Sequence, residues 1–86
     1  MTKEEFLIAT AAVLCTLREM DGHAPKSIIQ MALGEKYKPM YDLEVFLAFC
    51  GILEKSDLIK VSASVLTLTP NGLEKATRLE AVNGKV

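Results

Sequence analysis

Few groups in this chain have the chemistry of a nucleophile, a base or a metal ligand. There is one histidine, His23, and there are two cysteines, Cys15 and Cys50, among carboxylates scattered along the whole sequence. A catalytic histidine needs a partner held within hydrogen-bond reach. His23 stands beside Gly22 ahead of a helix start, which reads as a loop or helix-capping position. Cys15 and Cys50 each sit inside an apolar helical pattern, away from any Cys-x-x-Cys or Cys/His spacing that would hold zinc. They read as buried, reduced thiols that pack as small hydrophobes. No Gly-x-Ser-x-Gly, Walker or His-Glu-x-x-His pattern occurs. The expectation is a binding protein and not an enzyme, with no catalytic residue, no metal and no cofactor.

A second set of residues has the chemistry of recognition. Lys36 and Lys38 flank Tyr37, with Tyr41 just beyond, and Lys26 and Lys60 are further cations. Lysine interleaved with tyrosine suits contact with a phosphate backbone, and equally suits a solvated loop whose rings pack on the domain edge. Overall charge speaks against a strong polyanion binder. The formal net charge is −1 over 86 residues, with a pI near 5.8. A domain that grips DNA through phosphates usually carries a basic surplus.

These residues must be positioned by one small domain. Half of the chain is hydrophobic and 24% is charged, enough apolar material for a single core at this length. The apolar stretch from Phe6 to Leu17 is short, follows Glu4 and Glu5, and lacks a basic leader, so it does not read as a signal peptide. No run approaches the length of a membrane span. A cytoplasmic location without membrane contact is expected.

Local signals divide the chain. Thr2-Lys3-Glu4-Glu5 is a capping box that opens a helix to about Met20, closed by Asp21-Gly22. On that helix Phe6, Val13, Leu14, Leu17 and Met20 make one apolar side, and Ile8, Ala11, Ala12 and Cys15 lie roughly opposite. A second helix starts with Pro25 at its first position, turns Ile28, Ile29, Ala32 and Leu33 inward, and stops at Gly34. The polar run Glu35 to Lys38 reads as a loop. A third helix begins between Pro39 and Asp42 and ends near Lys55. Leu58–Ser62 and Val65–Thr69 are β-branched runs with only Ala63-Ser64 between them, which dictates a tight hairpin. Thr69 then caps a last helix with Pro70 at its first position, fading at Asn83-Gly84. Three helices, a short hairpin wing and a C-terminal helix are the order of an α+β winged helix-turn-helix, spanning residues 1–86.

The stretch from Leu53 to Leu79 resembles the second half of MarR-like and PadR-like winged-helix regulators. The matching pieces are Leu53-Glu54-Lys55, Leu58-Ile59 and Leu68-Thr69-Pro70-Asn71-Gly72. Two departures stand out. Asp57 occupies a place where many relatives have glycine, and Ser62-Ala63-Ser64 stands where DNA-binding relatives often carry arginine or lysine. The resemblance implies the fold and a transcriptional-regulator-like role. It does not identify a partner, because function resides in the site.

Two partners follow from these observations. The resemblance favours duplex DNA, with the third helix in the major groove. The candidate contacts, to nucleic acid or to a protein partner, are Lys26, Lys36, Tyr37, Lys38, Glu44, Leu47, Ala48 and Lys60; the exposed Leu47 and Ala48 favour a protein. The alternative is a protein-protein interaction or adaptor domain. With Phe46, Phe49, Cys50 and Leu53 inward, the outward face of that helix holds Glu44, Leu47, Ala48, Gly51 and Lys55. Bases are read mainly by Arg, Lys, Asn and Gln, and carboxylates repel phosphates. The spare apolar side of the first helix, Ile8, Ala11, Ala12 and Cys15, predicts a homodimer interface unless the closing helix covers it.

Overall fold

The computed structural model describes residues 2–83. Helix α1 (Lys3–Glu19) opens with the capping box: the Thr2 hydroxyl accepts from the Glu5 N–H at 3.0 Å, and Glu5 accepts from the Thr2 N–H at 2.9 Å. Asp21 and Gly22, at φ 63° and 92°, turn the chain out of the helix. Strand β1 (His23–Pro25), helix α2 (Lys26–Lys36), a 3₁₀ turn (Lys38–Tyr41) and helix α3 (Leu43–Lys55) follow. Strands β2 (Ile59–Ser62) and β3 (Val65–Leu68) form the hairpin, and helix α4 (Pro70–Asn83) closes the domain.

The sheet is antiparallel in the order β1-β3-β2, with Ala24 opposite Leu66 and Val61 opposite Leu66 on the other side. Four helices and this small sheet make an α+β domain, compatible with a winged-helix layout. Strand β1 was not foreseen. It places His23 and Pro25 outward and Ala24 inward, so His23 lies in an edge strand and not in a loop. Pro25 suits that edge, where a missing N–H costs nothing. It also precedes α2 and does not form its first turn.

One apolar cluster joins all the elements. Val13, Leu14 and Leu17 of α1 meet Ile29 and Leu33 of α2, Met40 of the turn, Phe46, Phe49, Cys50 and Leu53 of α3, Ile59 and Leu66 of the sheet, and Ala76 of α4. Phe6 meets Phe49 edge to face, with centroids 5.4 Å apart and planes at 73°. Truncating a ring as enclosed as Phe46 to alanine would cost about 3–5 kcal/mol.

Helix α2 corrects two expectations. It runs through Gly34 to Lys36, because Gly34 is buried where the Tyr41 ring crosses it: a Cβ there would lie 2.5 Å from the ring. The glycine is present for close approach and not as a stop. Ile28 is exposed and Ala32 only half-buried, so Ile29 and Leu33 carry the inward face. The following segment is the 3₁₀ turn, held by Gln30, whose Nε2 donates to the carbonyls of Met40 and Tyr41 at 3.1 Å each. Asp42 then caps α3, accepting from the N–H groups of Glu44 and Val45 at 2.9 and 3.3 Å.

A hydrogen-bonded knot sits where α3, the hairpin and α4 converge. The Thr69 hydroxyl donates to the Asp57 carbonyl at 2.5 Å and accepts from the Gly72 N–H at 2.9 Å. Asn71 donates to the Asp57 carboxylate at 2.6 Å. Glu54 accepts from the Val61 N–H at 3.0 Å, so a carboxylate covers part of the open edge of β2.

Candidate interaction surface

Helix α3 decides what the molecule offers to a partner. Its buried residues Phe46, Phe49, Cys50 and Leu53 recur at helical spacing, so the opposite side must face solvent. Glu44, Leu47, Ala48 and Lys55 are exposed there, with Gly51 half-exposed between them. Leu43, Val45 and Ile52 are exposed as well; Val45, Leu47 and Ile52 keep 40, 40 and 49% of their surface in water. The helix therefore shows apolar groups on both flanks of its outward line. Val45, Ala48 and Ile52 border an open depression of about 440 Å³, floored by Phe6, Met40 and Phe49.

The expected cationic contacts do not converge. Lys26 and Lys36 occupy opposite ends of the eleven-residue α2, about 15 Å apart at 1.5 Å per residue. The exposed surface between them carries Ile28, Met31 and Glu35. Lys26 adjoins the hairpin turn, its N–H donating to the Ser64 carbonyl at 2.7 Å, and Lys60 projects from β2. Lys36 and Lys38 are exposed at the far end. Tyr37 between them is half-buried and packed on the core. The Glu5 carboxyl is held below its usual range first by the Thr2 N–H, then by the Thr2 hydroxyl, with Tyr37 adding a smaller contribution. Half-buried on the core, Tyr37 offers only part of its surface as an outward contact.

The surface assigned to a dimer through α1 is largely occupied within the chain. Ala11 is buried, and Ala12 and Cys15 are half-buried against the core. The Cys15 Sγ lies 3.8 Å from the Ala76 carbonyl, and Arg18 pairs with Glu80, so α4 lies over this face. Of the four residues only Ile8 is exposed. The apolar side opposite the main core stripe is accounted for by the closing helix.

The chemistry-bearing residues stay dispersed. Cys50 is buried, and desolvation pushes its thiol up to about 11. Among the described residues no group of three His, Cys, Asp or Glu is placed to hold a metal ion. No described helix is long and apolar enough to cross a membrane. A second depression of about 360 Å³ lies between α1 and the start of α4, and its charged members are Arg18 and Asp21. Arg18 is already paired with Glu80.

Leu43, Val45 and Ile52 are exposed residues of α3 that sequence reasoning left unplaced. The signal existed: a helix apolar nearly all round cannot bury every side in so small a domain. Compared with known proteins, the chain matched no protein-family model, no curated protein and no solved structure.

Proposed function

We propose that this chain is a winged-helix interaction domain that seats a protein partner on the outward face of α3. The supporting observation is the character of that face. A base-reading helix needs Arg, Lys, Asn or Gln aimed at base edges. Here Leu47, Ala48, Gly51 and Ile52 fill the middle, Glu44 stands at one end, and Lys55 is the single cation. Exposed apolar residues grouped in this way mark protein interfaces. Charge depletion at the centre with charges at the margin is the usual interface anatomy.

The test is a photo-crosslinking amino acid placed at position 47 in cells that make the protein. The expected product is a protein adduct, destroyed by protease and untouched by nuclease. A nuclease-sensitive adduct, or none, overturns the reading.

A second reading, duplex-DNA binding through α3, draws on one observation. Lys26 at the start of α2 adjoins the hairpin turn, with Lys60 on the hairpin, so two cations stand where a wing would meet a phosphate backbone. In that case loss of both lysines weakens duplex binding at low salt and flattens its salt dependence. Unchanged binding after both substitutions removes these contacts.

A further inference from the structure

We propose that the partner seated on α3 is a second copy of this chain, its own α3 lying antiparallel across the first about a twofold axis level with Phe49 and Cys50. This rests on the reading of α3 as a protein-docking face and adds the identity of the occupant.

The outward line of α3 is Glu44, Ala48, Gly51 and Lys55. These positions recur every three to four residues, so they align along one side of a helix. The order is acid, small, small, base, and it is symmetric about the middle of the helix. A twofold interface uses one patch twice. Antiparallel pairing therefore brings Glu44 of each copy to Lys55 of the other, making two ion pairs about 16 Å apart by helical rise. A parallel pair would set Glu44 against Glu44 and Lys55 against Lys55. The charge pattern selects the antiparallel arrangement.

The centre of the line permits close approach. A Cβ added to Gly51 would meet nothing within 4 Å, so the surface there is an open notch. Ala48 is the only other side chain on the midline between the two charges. Leu47 on one flank and Ile52 on the other are half in water, and each would meet its own counterpart across the axis. Glu44 and Lys55 also complement the dipole of their own helix, and two antiparallel dipoles attract. Neighbouring carboxylates leave the match intact. Asp42 adds to the acidic end, and Glu54, beside Lys55, is turned to the Val61 N–H and off the outward line. The face of α1 offers no comparable patch, since Ala11 is buried and Cys15 lies on α4.

The test is sedimentation of the full chain from micromolar to millimolar concentration, with circular dichroism confirming each variant folded. Wild type is expected to pass from monomer to dimer. Glu44→Lys and Lys55→Glu, each of which replaces two attractive contacts by two repulsive ones, should each weaken the dimer roughly tenfold. The double variant should recover most of the wild-type affinity, a rescue that helix destabilisation does not produce. Gly51→Leu should be monomeric and at least as heat-stable as wild type, because the notch is empty in the monomer and glycine is a poor helix former. A monomeric wild type overturns the proposal. So does a double variant no tighter than the singles, or a dimer indifferent to Gly51→Leu. A monomeric wild type that still crosslinks from position 47 to a different protein leaves the docking face in place and removes self-pairing alone.

Discussion

Replacing Thr69 by valine removes one hydroxyl and keeps the side-chain shape. In the native fold that hydroxyl accepts from the Gly72 N–H at 2.9 Å and donates to the Asp57 carbonyl at 2.5 Å. Loss of a helix N-cap costs about 1 kcal/mol. Loss of the second hydrogen bond costs about 1 kcal/mol more. Thr69 is 5% exposed, so water cannot readily replace either partner. The expected loss is about 2 kcal/mol, a large share of the ~5–15 kcal/mol that holds a domain folded. For a domain of this size, with a urea slope of about 1 kcal/mol/M, the unfolding midpoint should fall by roughly 2 M. Thr69→Ser keeps the hydroxyl and should lose less than half as much. A valine variant with a midpoint within about 0.5 M of wild type would refute the assignment of this hydroxyl as the joint between hairpin and α4.

Four further outcomes follow from the same geometry. Gly72→Ala should destabilise by about 2 kcal/mol in the same urea titration, because the new Cβ would collide with the Leu58 carbonyl oxygen and backbone must move. Ala63→Gly should stabilise by about 1 kcal/mol, read as a higher melting temperature, because Ala63 holds φ 53° in the hairpin turn. In the folded protein a thiol reagent at mildly alkaline pH should modify half-buried Cys15 well before buried Cys50. The Cys50 thiol ionises near its ordinary 9.0 when unfolded and only at about 11 when folded. The unfolded state therefore releases its proton first, and stability should decline as pH rises from about 9 through about 11. Cys50→Ala should remove that decline, measured as the midpoint of urea unfolding against pH.

The elements written by local chemistry were legible in the sequence. Thr2 and Glu5 mark the start of α1, the two β-branched runs around Ala63-Ser64 mark the hairpin, and Thr69-Pro70 marks the start of α4; the observed bounds agree to within a residue or so. The elements written by tertiary contact were not. Ala24 forms a strand because Leu66 lies opposite it, and three residues hold too little alternation to announce that. Gly34 reads as a helix stop until Tyr41 is seen lying over it. Ala11 and Cys15 read as spare apolar surface until α4 is seen to cover them. The same limit applied to the candidate site. The outward line of α3 followed from placing Phe46 and Phe49 inward, and the spacing of Lys26 from Lys36 follows from helical rise, whereas the exposure of Val45, Ile52 and Ile28 depends on how the helices pack.

The central claim is that the outward face of α3 is a protein interface, and that a second copy occupies it. The most direct measurement is a backbone amide NMR dilution series of the isotopically labelled full chain. Concentration-dependent shifts are predicted at Glu44, Leu47, Ala48, Gly51, Ile52 and Lys55, with the amides of α1 near Ile8 unmoved. Spectra unchanged across the series, or shifts centred on Leu7 and Ile8 and absent from α3, would contradict it.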